Sequence, residues 1–155
     1  MYEGIDEYCF HGSHAARTKQ LKEFLGAVFR YADVLALAPI VGFSNNRRAE
    51  RDSNNNDEAR VPLGPLQSVN GQLELAYKTI MLLDQEYEPD EEERFKKAFQ
   101  TAPEYRTQDD LDYFESYVRG GVDFLYDKII GEGNTDMDRL IELQDFVDSY
   151  ASRHQ

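Results

Sequence analysis

Apolar side chains recur along this chain at intervals of three and four, and that spacing divides it into helices. Leu21, Phe24, Leu25, Val28, Ala32, Leu35 and Ala36 make the first stripe. With Ser13 as a cap ahead of His14, it predicts one long amphipathic helix that stops near Pro39. Phe29 and Tyr31 widen the stripe, so burial on more than one side is expected. Leu66, Val69, Leu73, Ala76, Tyr77, Ile80 and Leu83 make the second stripe, entered through a rigid segment at 61–65 and ending near Tyr87, before Pro89. Pro89 and Asp90 open a short helix with acids in its first turn and Phe95, Ala98 and Phe99 on its apolar face.

After a turn around Pro103, Thr107 and Asp110 read as a capping box. Leu111, Phe114, Val118, Val122, Leu125 and Ile129 follow with the cleanest helical period in the chain. Gly120 and Gly121 fall inside it, each costing about 1 kcal/mol against alanine, and mark a close helix approach or a kink. Gly131 and Gly133 end this helix; Thr135 begins a last one, with Met137, Leu140, Ile141, Gln144, Val147 and Tyr150 facing inward. No strand-like alternation stands out. The fold class expected is all-α, a compact bundle of about five helices with a long polar loop after helix 1. Residues 1–12 read as a flexible N-terminal arm, residues 13–155 as a single helical domain, and residues 43–60 as a flexible loop within it.

Composition narrows the function. At 155 residues and 41 % hydrophobic, with ten tyrosines and nine phenylalanines, the chain can build one real core. Cys9 is the only cysteine, which excludes an internal disulfide and a thiolate metal cluster. No stretch reaches the roughly 18 uncharged apolar residues of a membrane span, and no signal-peptide pattern opens the chain, so a cytoplasmic location is expected. The net charge of −13 is uneven. Residues 61–155 hold 9 basic and 21 acidic side chains, whereas residues 17–51 hold 7 basic and 3 acidic. Such a dipolar particle suits an anionic partner on one face and a basic one on the other.

Candidate chemistry is sparse. His11 and His14 have a helical i, i+3 spacing but straddle the expected helix start, and His154 is remote, so no metal or cofactor is expected. Cys9 has no base held beside it by the sequence, and no nucleophile elbow, zinc-protease or phosphate-loop motif occurs; no enzyme is expected. Lys19, Lys22 and Arg30, followed by Arg47, Arg48 and Arg51 in the Asn-rich loop, could contact successive phosphates without reading bases. Tyr113 and Tyr117, four apart, suit a half-buried face for a protein neighbour.

Thr18, Gln20, Leu21, Lys22 and Phe24, then Leu75, Ala76 and Tyr77, then Phe114, Tyr117, Val118, Val122 and Phe124 give the chain a family likeness. In this order they resemble the small helical subunit of type III CRISPR effector complexes, of the Csm branch, although Glu74 stands where that family has a lysine. The resemblance implies a non-catalytic antiviral-defence subunit stacked in several copies beside the backbone subunits. It would contact guide RNA and target RNA through phosphate and shape. The alternative is an acidic helical adaptor or anti-defence protein that binds a basic protein surface without nucleic acid.

Overall fold

The computed structural model describes residues 1–2, 4–102, 104–131 and 135–153, with no side-chain placement for Asp136 and Arg153. Pro103, Gly133 and His154, each singled out above, lie outside the described residues. Strand β1 (Glu7–His11) leads into α1 (Gly12–Leu25) and α2 (Tyr31–Ser44). Strand β2 (Glu58–Pro62), α3 (Leu63–Ser68), α4 (Asn70–Leu83) and α5 (Glu91–Phe99) follow. The chain ends with α6 (Gln108–Tyr126), a π-helical turn (Asp127–Gly131) and α7 (Asp136–Arg153). The helical class holds, with seven α-helices among the described residues. None of these helices is long and apolar enough to cross a membrane.

The two additional helices come from breaks inside the predicted stripes. The first stripe is divided at Gly26, whose φ of 88° is open to glycine and ends α1. The second helix does not stop at Pro39: that residue lies inside α2 and is buried. The missing proline hydrogen bond is tolerated because α2 is apolar nearly all round and sits in the middle of the core, with Ala32, Val34, Leu35, Ala38 and Val41 buried. Val69 separates α3 from α4.

The described parts of residues 1–12 and residues 43–60, expected to be a flexible arm and loop, hold each other in place. β1 and β2 pair antiparallel, with Phe10 opposite Ala59 and His11 opposite Glu58. Phe10, Ala59 and Val61 face the core, at 1–2 % exposure. The tract between α2 and β2 is tied down at both ends. Arg47 N–H donates to the Gly42 carbonyl (2.8 Å) and Ala49 N–H to that of Ser116 (3.0 Å). Asp52 takes over the capping expected of Ser13, accepting the Ser13 amide at 3.1 Å, and Gly12 N–H donates to the Asp57 carbonyl at 2.8 Å.

The core is built on the α2–α6 crossing. A Cβ on Gly121 would overlap the Ala38 carbonyl of α2, and one on Gly120 the Arg47 carbonyl, so both glycines are required by backbone approach. α4 packs on α2, burying Leu73, Tyr77 and Ile80, and α5 covers α4. The predicted caps form: Asp90 accepts from Glu93 N–H (2.9 Å), and Thr107 and Asp110 cap each other reciprocally. α7 departs from expectation. It rests on Phe124 through Phe146, while Met137, Leu140, Ile141 and Val147 are more than half exposed.

Candidate functional site

Three of the six cations expected to line a phosphate-contacting edge are neutralised by carboxylates within the molecule. Lys19 lies 3.3 Å from Asp57, Arg30 2.9 Å from Asp33, and Arg47 2.8 Å from Asp127. Lys22 has no carboxylate partner among the described residues and sits 5.9 Å over the Tyr31 ring. Arg48 stacks 5.0 Å over Tyr113 and 5.8 Å from the centre of Tyr117. Arg51 is exposed and forms no ion pair among the described residues.

Arg48 and Arg51 do come together, on the rim of a cleft of about 890 Å³. Its walls are β1, the start of α1, residues 48–51 and the first half of α6. Arg119 of α6, not singled out in the sequence, completes this set; its Nε donates to the Ala49 carbonyl at 2.8 Å and pins the loop. Facing the three arginines are Glu50, Asp109, Asp112 and Glu115. The cleft is therefore of mixed charge, suited to polar chain segments with both signs, and is not a uniform cradle for phosphate.

The tyrosines expected to serve a neighbour contact belong to the wall and core. Tyr113 stacks on Tyr87 with centroids 3.8 Å apart and planes at 14°. Tyr117 is 3 % exposed, which leaves it almost no surface to offer. Both hydroxyls donate to Asp84 Oδ2 at 2.7 Å. Burial alone would raise the Asp84 pKa, but these hydroxyls and the amides of Tyr87 and Glu86 hold it below the usual range. Their own titration is pushed up, by burial first, and Tyr117 also by hydrogen bonding.

On the cleft side of α6, Glu115 accepts hydrogen bonds from Tyr2 and from Tyr8, the latter at 2.7 Å, tying the chain start to α6. Burial pushes the Glu115 carboxyl up, against the lowering effect of these bonds and of Arg119. The histidines of the i, i+3 pair part company. His14 is buried, with Nε2 3.3 Å from Asp123, which also receives Arg17. His11 turns to the outer face of the ribbon beside Cys9 and Glu58. Cys9 donates to the Phe10 carbonyl at 3.2 Å, and burial followed by the Glu58 charge raises its pKa, so the free thiol is not an activated nucleophile.

Arg119, Asp84 and Glu115 escaped sequence reasoning because each makes side-chain contacts with residues at least 29 positions away. Only the i, i+4 spacing of Glu115 and Arg119 was a visible signal. No family model, no curated protein and no solved structure matches this chain.

Proposed function

We propose that this protein is a non-catalytic acidic helical adaptor that binds a basic protein surface. The observation behind this reading is the internal neutralisation of its cations. Carboxylates engage Arg17, Lys19, Arg30, Arg47, Arg60, Lys96, Lys97 and Arg106. Exposed acids such as Glu86, Glu91, Glu104 and Asp109 have no such partner among the described residues. The excess is densest from the end of α4 to the start of α6, where residues 84–112 hold 11 acidic and 4 basic side chains, and a partner rich in lysine and arginine meets it favourably.

A second reading keeps the small subunit of an RNA-guided type III CRISPR complex. It draws on the resemblance of the stripe residues and on Arg48 and Arg51, which have no carboxylate partner among the described residues and share one rim. One titration separates the two. Fluorescence anisotropy is recorded with a labelled arginine- and lysine-rich peptide and with a labelled single-stranded RNA, across a salt series. The adaptor reading expects the peptide to bind, with affinity falling as salt rises, and the RNA to stay free. RNA binding at low salt that is lost in Arg48→Ala/Arg51→Ala, with no peptide binding, would replace it with the second reading. Failure of both ligands at low salt would count against direct charge-driven binding of either kind.

A further inference from the structure

The outer face of the β1–β2 ribbon carries a donor set that the helical reading of the sequence could not assemble. Side chains two apart on a strand share a face, so Cys9 and His11 point the same way. The register sets His11 opposite Glu58 on β2, 47 positions along the chain. Cys9 Sγ is 4.0 Å from His11 Nδ1, and His11 Nδ1 is 4.0 Å from Glu58 Oε1. All three donor atoms lie within 4.8 Å of one another.

From these positions we propose that Cys9, His11 and Glu58 form a binding site for a divalent zinc-type ion. The chemistry of the set fits: one sulfur, one imidazole nitrogen and one carboxylate oxygen are the three donor types zinc takes. The spacing fits as well. Bonds of about 2.0–2.3 Å around a tetrahedral centre leave donors roughly 3.3–3.8 Å apart. The paired backbone already holds the three side chains together, and the donors stand within 4.8 Å of one another, so little movement separates them from that spacing. A water molecule would occupy the fourth position, from the solvent side.

Arg60 orients the carboxylate. Its guanidinium donates to Glu58 Oε2 at 2.6 Å and to Glu7 Oε1 at 2.6 Å, leaving Glu58 Oε1 as the oxygen turned toward His11. A partner that holds one oxygen and presents the other is the usual support of a carboxylate ligand. The site is open, since the His11 and Glu58 side chains are 36 % and 43 % exposed. On binding, the Cys9 thiol proton passes to solvent and the thiolate becomes the ligand. The ion would span both strands and fasten the chain start to β2.

The full-length protein, kept reduced, is titrated with Co²⁺ as a spectroscopic probe and with Zn²⁺ in competition. One equivalent of Co²⁺ is expected to give a thiolate-to-cobalt charge-transfer band with the visible intensity of a tetrahedral centre, and Zn²⁺ to abolish it. Zn²⁺ should raise the melting temperature of the wild type and not that of Cys9→Ser. Glu58→Gln should weaken Co²⁺ binding by at least about tenfold. Both substitutions sit on the exposed ribbon face, and circular dichroism checks that helix content is kept. Absence of the charge-transfer band in the wild type, or equal Zn²⁺ affinity in wild type and Cys9→Ser, would overturn the proposal.

Discussion

Asp84 is the residue on which the α4–α6 junction turns. It ends α4, is 6 % exposed, and accepts the hydroxyls of Tyr113 and Tyr117 together with the amides of Glu86 (3.1 Å) and Tyr87 (3.2 Å). The burial is tolerated because the carboxylate's acceptor positions are filled. Removing its charge while keeping its shape leaves those donors with a weaker partner. Asp84→Asn should therefore cost about 2 kcal/mol at pH 7. The pH dependence follows from the depressed folded pKa. Such a group contributes stability above its unfolded value of 3.8, and that contribution is lost as pH falls through the lower folded value. Asp110 and Asp123, also depressed, act in the same direction. Glu115, raised by burial, acts in the opposite one: its cost to folding, present above its unfolded value, is relieved as it protonates. Urea unfolding of wild type and Asp84→Asn should differ clearly at pH 7 and converge as the pH drops below 3.8. A gap of the same size in acid would reject this account.

Between elements, the α2–α6 contact depends on the absence of two methyl groups. Gly121→Ala would drive a Cβ into the Ala38 carbonyl, and backbone cannot rotate out of the way as a side chain can. The expected loss is about 3 kcal/mol, measurable by thermal or urea unfolding. Gly71→Ala in α4 is the control: nothing lies within 4 Å of its added Cβ, and a gain of about 0.5 kcal/mol is expected. Equal effects at the two positions would remove the packing argument. This contact was legible in advance, because a glycine pair inside an otherwise strong helix has few other uses. So were the caps at Asp90 and Thr107, which are local by nature. The β1–β2 ribbon was not. Each strand is five residues long, too short for alternation to stand out, and pairing across some fifty positions leaves no local mark. The inward face assigned to α7 failed for a related reason. Periodicity identifies an apolar stripe but does not say whether another element reaches it; in α7, Leu143 and Phe146 pack on the core and Tyr150 reaches Asn45.

At the scale of the molecule, 17 basic side chains face 30 acidic ones, and nine of the basic ones hold a carboxylate among the described residues. Exposed pairs contribute about 0–1 kcal/mol each, so screening them costs little, whereas screening the excess negative charge relieves repulsion across the whole surface. The melting temperature should rise by roughly a few degrees between low and physiological ionic strength, followed by calorimetry in a salt series. A steady fall with salt would mean that the ion pairs dominate. The same pairing explains why the candidate site was half visible. A basic cluster at 47–51 can be read from the chain, but that Asp127 would claim Arg47 and Asp57 claim Lys19 cannot. Helix α6 stands at the meeting point of these contacts: it receives Tyr2 and Tyr8 at Glu115, Arg17 and His14 at Asp123, and α2 at its glycines. Synthesis runs from the other end. The first sixty residues leave the ribosome before the helix that completes their core has been made. At about 5–20 residues per second the nascent chain spends several seconds with Phe10, Val34 and Leu35 uncovered. That interval, set by the position of one helix in the gene's reading order, is when a chaperone or a protease has its best access to this protein.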